Sequence, residues 1–386
     1  MKTNVLLILS AAILFGCPSC NQNSTKGGLI EIDIAKKYPS KKVLLRDIAN
    51  IEYLLLETSD DVLLGTPDRI SYVSDKYIFL QNISRGNLYL FSRDGKIITR
   101  FNRMGKGGNE YSRLFSAVFD EKNEEVFVFD HGKIFVYSIT GAHKRTLECT
   151  ASRGSISAYN FDDETILLYD EWVIKELGDI KAEPYLLLSK KDGSIVSTLD
   201  IRLSERYSWI KYIFSEEGAR PVYANVHNNR CSGRDFVIAD ISSDTVYKLT
   251  NKMELTPLLV RSPSVHASEP RTVWASPLMT DKFILLHIVT LDFDAIQRGE
   301  RSRATMLMYE FESGETSEIS LVHDDYPGRW WPELNISTHR NMAISILDAP
   351  MLKNWYKEGQ LKGELEQLAG TLKEDDNPVV MIVKFK

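Results

Sequence analysis

Short apolar runs, each entered through a polar or charged residue, recur six times along the chain. β-Branched and aromatic residues dominate these runs, as is typical of strands buried on one or both faces. The six runs are residues 75–80, 125–129, 164–169, 235–239, 281–286 and 341–346. Their mean spacing of about 53 residues lies near the roughly 40–50 residues of a four-stranded propeller blade. The pattern therefore predicts six repeated β-modules.

Most of the runs are followed by a second strand-like run, a turn and a third strand. The turns are marked by Asp94-Gly95, Thr140-Gly141, Asp192-Gly193, Asn251-Lys252 and Ser313-Gly314. Glycine suits such turns because it tolerates the positive φ that tight hairpins need. Hairpins that stay in phase with the preceding strands indicate a sheet repeated around an axis.

Both ends of the chain supply strands that can close such a ring. Residues 379–385 form a strong strand pattern at the C-terminus, and residues 29–34 and 51–56 do so at the N-terminus. A radially repeated sheet exposes apolar faces unless its first and last blades meet. We therefore expect one N-terminal strand to join the last blade beside the C-terminal strand. The predicted fold is all-β, a six-bladed β-propeller over residues 29–386. Two β-sandwich domains are the alternative, but no Pro/Ser-rich linker lies near the middle of the chain.

One segment departs from the strand pattern. Leu361, Leu365, Leu368 and Leu372 recur at helical spacing, with Glu and Lys between them. The spacing predicts a short helical insertion in the last blade. A helix that packs on the edge of the disc is the simpler interpretation, and a helix that docks a partner is the alternative.

The first residues are typical of an export signal. Lys2 precedes an apolar run over residues 5–15, which is shorter than the roughly 20 residues that span a bilayer core. The run ends in Leu-Phe-Gly before Cys17, which resembles the bacterial lipobox, and Cys20 is a second candidate. We expect a signal peptide over residues 1–16, a lipid on Cys17 and a flexible tether over residues 17–28. A plain secretory signal is the alternative.

Composition excludes several classes of protein. The 386 residues include 43% hydrophobic and 26% charged residues, with a formal net charge of −6. These values exclude collagen-like chains, bulk disorder and a multi-span membrane protein. A mildly acidic chain without a basic block is a poor candidate for nucleic-acid binding. Beyond the signal region, Cys149 and Cys231 form neither a disulfide framework nor a zinc pattern. They either pair or, as the simpler interpretation, remain two buried thiols.

Four stretches of the chain resemble a known group of proteins. They are residues 47–58 (Asp-Ile-Ala-Asn-Ile-Glu-Tyr-Leu-Leu-Leu-Glu-Thr), 89–96 (Tyr-Leu-Phe-Ser-Arg-Asp-Gly-Lys), 105–111 (Gly-Lys-Gly-Gly-Asn-Glu-Tyr) and 375–380 (Asp-Asp-Asn-Pro-Val-Val). The group is the exported six-bladed β-propeller lipoproteins of Gram-negative gut bacteria, which are related in shape to NHL-repeat propellers. Residues 105–111 usually read Gly-x-Gly-Pro-Gly-Glu-Tyr in this group, whereas here Gly108 replaces the Pro and Asn109 replaces the third Gly. The resemblance implies the propeller fold and localisation as a lipoprotein, but it implies no activity.

The loop from Arg103 to Arg113 is the first candidate site. It contains three glycines, whose backbone N–H groups are exposed, and the cations Arg103, Lys106 and Arg113. Such a loop could hold a carboxylate or a sulfate. It lacks the Gly-Lys-Ser/Thr ending of a phosphate-binding P-loop. The alternative is a glycine-dependent crossing between blades, fixed by Glu110 and Tyr111.

The second candidate is Arg329-Trp330-Trp331, whose adjacent indoles could form a platform for a sugar ring or an apolar partner. A core role for one of the two tryptophans is the simpler interpretation. The seven histidines are scattered without metal-ligand spacing, and no compact catalytic motif occurs. The sequence does not indicate which cofactor, if any, the protein uses. No metal site is expected.

These patterns favour a binding or scaffold propeller of the cell envelope over an enzyme. We expect a monomer that is lipid-anchored to the outer membrane and binds a glycan, a peptide or a partner envelope protein. The side of the membrane stays open. The alternative is a lyase or hydrolase acting on a saccharide or lactone at the mouth of the central channel. A purely structural envelope component is the third possibility.

Overall fold

The computed structural model describes residues 28–65, 68–151, 156–171, 183–203, 205–215, 218–224, 229–232, 235–267, 269–326 and 341–386. Cys17, Cys20, Arg329, Trp330 and Trp331 lie outside these ranges. The predictions for them stay predictions.

The chain folds into a mostly β structure of six blades in a propeller ring. The N-terminal segment forms β1 (Ile30–Asp33), β2 (Ser40–Leu44), α1 (Leu45–Ile48) and β3 (Ala49–Leu55). Blade 1 consists of β4 (Asp68–Val73), β5 (Tyr77–Asn82), β6 (Asn87–Ser92) and β7 (Ile97–Asn102). Blade 2 consists of β8 (Ser116–Asp120), β9 (Glu125–Asp130), β10 (Lys133–Ser138) and β11 (His143–Glu148). Blade 3 consists of β12 (Ile156–Asn160), β13 (Thr165–Asp170), β14 (Tyr185–Ser189) and β15 (Ile195–Thr198).

A separate hairpin of β16 (Ile210–Ser215) and β17 (Gly218–Tyr223) precedes blade 4. Blade 4 contains β18 (Asn229–Ser232), β19 (Asp235–Ile238), β20 (Thr245–Leu249) and β21 (Leu255–Ser262), and a 3₁₀ turn (Val265–Ala267) follows it. Blade 5 contains β22 (Arg271–Met279), β23 (Phe283–Leu291), α2 (Phe293–Gln297), β24 (Ala304–Glu310) and β25 (Thr316–Val322). Blade 6 contains β26 (Met342–Leu347), α3 (Ala349–Lys357), α4 (Gly363–Thr371) and β27 (Val379–Phe385).

The six apolar runs of the sequence form corresponding strands of the six blades. They fall on β5, β9, β13, β19, β23 and β26. In blades 1 to 5, this strand is the second along the chain and pairs with a neighbour on each side. All six residues of β9 and of β13 are buried. The four central residues of each strand are apolar, as packing against other blades on both faces requires, and this explains why these runs gave the clearest repeat.

Glycines in the turns between third and fourth strands meet two requirements. Gly95 and Gly193 have φ of +83° and +78°, which L side chains rarely adopt. A Cβ on Gly95 would also lie 2.3 Å from the carbonyl oxygen of Leu55, and one on Gly193 would lie 2.4 Å from that of Glu148. Leu55 and Glu148 each end the outer strand of the preceding blade. The turn glycines therefore allow neighbouring blades to approach closely.

The two ends of the chain meet in blade 6, as predicted. β27 pairs antiparallel with β3, from Val379 opposite Leu55 to Phe385 opposite Ala49. Two further pairings were not predicted. β1 adds in parallel to the outer strand β21 of blade 4, and β2 adds in parallel to the outer strand β25 of blade 5. We call residues 30–55 the N-terminal belt, because they cover the outer edges of blades 4, 5 and 6 in succession.

The helical insertion in blade 6 is present and consists of the two helices α3 and α4 between β26 and β27. Leu361, Leu365 and Leu372 are buried in the core shared by blades 5 and 6, and Leu368 packs against it. This burial accounts for the leucine spacing through packing on the disc. None of the described helices is long and apolar enough to cross a membrane.

A polar network around the buried side chains of His323 and Asp325 joins the N-terminal belt to the segment after blade 5. The Tyr53 hydroxyl lies 3.1 Å from His323 Nε2 and donates to Asp325 Oδ2 at 2.6 Å. The backbone N–H of Asp325 donates to His323 Nδ1 at 3.0 Å, and Arg46 forms an ion pair with Asp325. We call these four residues the clasp network. Burial lowers the pKa of His323 to about 4, which keeps its imidazole neutral and Nδ1 available as an acceptor.

Candidate functional site

The loops that can hold a ligand share one end of the blades. In a four-stranded antiparallel blade, the entry to the first strand, the turn between the second and third strands and the exit from the fourth lie at the same end. We call this end the crossing face. It includes the described parts of the crossings between blades, residues 103–115, 199–203, 205–209, 263–267 and 269–270. The predicted loop from Arg103 to Arg113 therefore lies on this face, between β7 and β8.

Within that loop, the carboxylate of Glu110 folds back over the glycines. Its Oε2 accepts a hydrogen bond from the N–H of Gly107 at 2.8 Å. A Cβ on Gly105 would lie 2.0 Å from the same oxygen. Gly105 is thus required because Glu110 occupies the space beside it. One of the backbone donors that a bound anion could use already binds this internal carboxylate.

Tyr111 fixes the loop to the core. Its ring is fully buried, its hydroxyl donates to the carbonyl of Gly86 at 2.5 Å, and the same hydroxyl accepts from the N–H of Arg103 at 3.0 Å. Burial raises the pKa of this phenol to about 12. The side chain of Arg103 donates to the carbonyl of Gly141 in blade 2 at 2.9 Å. These contacts give Tyr111 and Arg103 a structural role at the junction of blades 1 and 2.

Lys106 and Arg113 remain exposed on the crossing face. The guanidinium of Arg113 lies 5.4 Å from the centroid of the Phe115 ring, and Phe115 meets the His131 ring edge-on at 4.8 Å. Anion binding by Arg103, Lys106 and Arg113 stays a prediction.

A second group of polar side chains, which was not predicted from the sequence, joins two other crossings. The Tyr207 hydroxyl lies 2.8 Å from Glu205 Oε2 and 2.6 Å from His266 Nδ1. The guanidinium of Arg271 lies 4.0 Å from the centroid of the Tyr207 ring and forms an ion pair with Glu269. We call these five residues the Tyr207 cluster. They come from the crossing that enters blade 4 and the crossing that enters blade 5.

The backbone at the Tyr207 cluster is held in place by a buried side chain, whereas some of its polar side chains are accessible to solvent. Beside it, Arg206 is buried and donates to the carbonyl of Asp170, which fixes the backbone at Tyr207. By contrast, the side chains of His266 and Glu205 are 36% and 59% exposed. Burial raises the pKa of Tyr207, so the phenol is protonated at neutral pH. Its single proton can be donated to either His266 or Glu205, which are both within hydrogen-bond distance.

The hairpin of β16 and β17 presents an apolar face beside this cluster. Its pairing register places Ile210, Tyr212 and Phe214 on the same face as Pro221 and Tyr223. Phe214 is 60% exposed and Tyr223 is 54% exposed.

The opposite face of the hairpin is directed toward blade 5. There Val222 is buried, and Lys211 forms an ion pair with Asp294 of α2 at 3.3 Å. The hairpin therefore exposes its aromatic side and turns the other side inward.

Aromatic contacts connect the hairpin to the Tyr207 cluster. The Trp209 ring lies 5.7 Å from the Tyr223 ring. Trp209 and Tyr207 both pack against the same apolar group between blades 4 and 5. An aromatic surface and a set of carboxylate, imidazole and guanidinium groups thus adjoin on the crossing face.

Only part of this arrangement has a sequence signal. The apolar run from Trp209 to Phe214, followed by Gly218, could have indicated the hairpin. The Tyr207 cluster has no such signal, because about 60 residues separate Tyr207 from His266 and only the fold brings them together. Over the described ranges, no three His, Cys, Asp or Glu side chains are grouped as metal ligands.

Comparison with known proteins identifies the family. The family described as a domain of unknown function, DUF4934, matches residues 29–384, so the chain belongs to it. Among curated proteins, none matches the chain.

Among solved structures, one is similar in fold over nearly the whole chain, and others match less well. An exported protein from Bacteroides fragilis has a TM-score of 0.63 at 15% identity, over 93% of this chain and 99% of that chain. Virginiamycin B lyase from Staphylococcus aureus has a TM-score of 0.39 at 9% identity, over 86% and 99% of the two chains. PorZ, a surface component of the type-IX secretion system of Porphyromonas gingivalis, has a TM-score of 0.33 at 11% identity, over 73% of this chain and 36% of that chain.

Proposed function

We propose that the protein is an exported binding propeller of the cell envelope, and that it binds its ligand on the crossing face at blade 4. The observation that supports this most directly is the exposed aromatic face of the β16–β17 hairpin beside the Tyr207 cluster. Aromatic side chains such as Phe214 and Tyr223 are rarely left exposed together without a binding role. The hairpin is also an addition to the blade repeat, so closure of the ring does not require it.

A glycan fits this surface best, ahead of a peptide or a partner envelope protein. Sugar rings stack on aromatic faces, and their neighbouring hydroxyls match the paired acceptors and donors of carboxylate and guanidinium groups. Tyr223 supplies the exposed ring, while Glu205 and Arg271 supply the polar groups.

The localisation that we propose is a lipid anchor at Cys17, with Cys20 as the alternative. The export signal in the first 16 residues supports it. The exported relative from Bacteroides fragilis, which shares the fold over 93% of this chain, is consistent with it. We further propose that the propeller is a monomer attached to the outer membrane.

A screen of the soluble form lacking residues 1–20 on a glycan array, in parallel with a peptide pull-down, tests the binding function. The expected result is glycan binding that Tyr223→Ala weakens at least tenfold, because the stacked ring is lost. Glu205→Gln should weaken it as well. Ile195→Ala is the matched control, since Ile195 is 47% exposed on blade 3, away from the site. If the protein instead binds a peptide, and Tyr223→Ala weakens that binding equally, the proposed site is correct but its ligand is a peptide and not a glycan. If neither Tyr223→Ala nor Glu205→Gln changes the affinity, the proposed site is wrong.

The second candidate function is a lyase or hydrolase, which one observation favours. The Tyr207 hydroxyl lies within hydrogen-bond distance of both an imidazole and a carboxylate, which is the arrangement of a general acid and base. The test is turnover of any glycan that the array identifies. Product formation that Tyr207→Phe abolishes while binding persists would assign an enzyme, and binding without product would exclude this activity on that glycan.

A further inference from the structure

Tyr207 and His266 are held side by side by one turn of blade 4, the turn between β19 and β20. The N–H of Tyr207 donates to Ser242 Oγ at 2.8 Å, and the N–H of Val265 donates to Asp244 Oδ1 at 2.6 Å. Val265 is fully buried and begins the 3₁₀ turn that carries His266. The fold therefore fixes both crossings at the backbone, and the Tyr207 and His266 rings lie 5.4 Å apart.

The hydroxyl of Tyr207 lies between two groups but has only one proton to donate. Its oxygen is 2.8 Å from Glu205 Oε2 and 2.6 Å from His266 Nδ1. An ionised carboxylate only accepts hydrogen bonds, whereas a neutral imidazole carries its proton on one of its two nitrogens. If Tyr207 donated to Nδ1, its oxygen and a carboxylate oxygen would face each other at 2.8 Å with no proton between them. Tyr207 therefore donates to Glu205, and Nδ1 of His266 donates to the Tyr207 oxygen.

Arg271 is placed to favour the same arrangement. Its guanidinium lies 3.9 Å from Glu205 Oε1 and 4.0 Å from the centroid of the Tyr207 ring, so Glu205 Oε2 is left to the phenol. A hydrogen bond to a charged acceptor is roughly twice as strong as one between neutral groups. The carboxylate of Glu205 is therefore a better acceptor for the Tyr207 proton than the imidazole of His266.

This order of hydrogen bonds leaves the outer nitrogen of His266 as an acceptor. A neutral imidazole with its proton on Nδ1 has a lone pair on Nε2. Within the described part of the chain, Nε2 of His266 has no hydrogen-bond partner, and the side chain is 36% exposed. His323 is the contrast, because its Nε2 lies 3.1 Å from the Tyr53 hydroxyl and its Nδ1 accepts the N–H of Asp325. His323 thus uses both nitrogens inside the fold, whereas His266 exposes one.

We propose that Glu205 and Tyr207 are positioning residues that hold His266 in its Nδ1–H form, so that Nε2 accepts a hydrogen bond from a hydroxyl group of the bound glycan. Each sugar hydroxyl is a donor as well as an acceptor, so a sugar stacked on Tyr223 carries donors for this nitrogen. Trp209, which contacts Tyr223, packs against the same apolar group as Tyr207. The assignment rests on the proposed function, because it concerns the same site.

Nuclear magnetic resonance of the soluble form lacking residues 1–20, with isotope-labelled histidine, tests the first part. The two-bond proton–nitrogen spectrum shows which ring nitrogen carries the proton. At about pH 8, above the ordinary titration range of histidine, the proton of His266 should lie on Nδ1. His266→Gln identifies the signals by removing them. His323 is the internal reference, because its Nδ1 accepts from Asp325 and its proton must lie on Nε2.

Two substitutions should move the proton of His266 to Nε2, because the form of a histidine follows the hydrogen bonds that its nitrogens make. Tyr207→Phe removes the oxygen that accepts from Nδ1, and Glu205→Ala frees the Tyr207 hydroxyl to donate to Nδ1. Glu269→Ala is the matched control, since it removes a carboxylate of the same cluster whose ion pair is with Arg271. It should leave the proton on Nδ1. A proton on Nε2 in the unsubstituted protein, or one that stays on Nδ1 in both Tyr207→Phe and Glu205→Ala, would overturn the proposal.

Titration with a pool of methyl hexopyranosides tests the second part and separates it from the proposed function. Movement of both the Tyr223 ring signals and the His266 Nε2 signal supports the acceptor role. If only the Tyr223 signals move, the sugar binds at the site but His266 does not accept from it, and the proposal is wrong. If neither moves, glycan binding at this site is wrong and the acceptor role fails with it, whereas the position of the His266 proton is still decided by the spectrum without sugar.

Affinity gives the size of the effect. His266→Ala should lower the affinity for a glycan that the array identifies by roughly three- to tenfold, which corresponds to the loss of one hydrogen bond. An unchanged affinity would contradict the acceptor role.

Discussion

At Gly95, backbone conformation and close packing both exclude a side chain, and the two effects can be separated. Gly95 has φ of +83° and the carbonyl oxygen of Leu55 beside it, whereas Gly132 has φ of +65° and open space around it. We expect Gly132→Ala to lower the free energy of unfolding by about 1 kcal/mol, through backbone strain alone. Gly95→Ala should lower it by about 3 kcal/mol or more, because blades 6 and 1 must also move apart. Chemical denaturation measures both values.

Gly193→Ala provides an independent check, since the carbonyl of Glu148 approaches it just as the carbonyl of Leu55 approaches Gly95. It should resemble Gly95→Ala. Equal values for Gly95→Ala and Gly132→Ala would show that close approach between blades adds nothing to the requirement for glycine.

His323 makes the stability of the clasp network depend on pH. Its pKa is about 4 in the folded chain, against about 6.5 when unfolded. Between these values the unfolded chain binds the proton more tightly, so stability falls as the pH is lowered through this window. Above pH 6.5 His323 contributes no slope. The loss should approach about 1.4 kcal/mol per pH unit, and about 3 kcal/mol in total.

Denaturation curves collected across this pH window measure the effect. The neighbouring Asp325 raises the pKa of His323 and Arg46 lowers it, so both must be left unchanged. The control is His323→Gln, which keeps a donor and an acceptor but does not titrate. Its stability should be lower at neutral pH and less dependent on pH. An identical pH slope in both proteins would mean that His323 is not the responsible group.

At the scale of elements, strands that are buried on both faces were predictable from the sequence. The four central residues of β9 and of β13 are apolar because neighbouring blades cover these strands, and burial of this kind leaves a strong local pattern. The pairing of β3 with β27 was also predictable, since a ring must be closed by its ends. Both inferences depend on which residues must be buried. Burial requires apolar side chains, and these are visible in the sequence.

Elements at the edges of the blades have weaker patterns in the sequence. β2 has exposed and half-buried residues only, and its parallel partner β25 is nearly 280 residues away. No local pattern specifies such a partner. Likewise, Tyr207 and His266 belong to different crossings and meet only because blades 4 and 5 are adjacent. The fold was therefore largely predictable, whereas the Tyr207 cluster required the three-dimensional arrangement.

At the scale of the whole molecule, the N-terminal belt has two separable roles, edge cover and ring closure. Deletion of residues 28–39 removes β1 but keeps β3 paired with β27. Because Ile30 and Ile32 are buried between blades 4 and 5, this deletion should lower the free energy of unfolding by about 4 kcal/mol. Deletion of residues 28–57 also removes β3, the outer strand of blade 6. The buried face of β27 and its hydrogen-bonding edge are then exposed, and the ring can no longer close.

We expect the shorter deletion to retain a single cooperative thermal transition with a lowered midpoint. The longer deletion should lose that transition and become sensitive to protease along the whole chain, because each blade depends on its two neighbours for burial of its faces. Circular dichroism during heating and limited proteolysis distinguish these outcomes. If the two deletions melt alike, closure by β3 is not what holds the six blades together, and contacts between adjacent blades suffice.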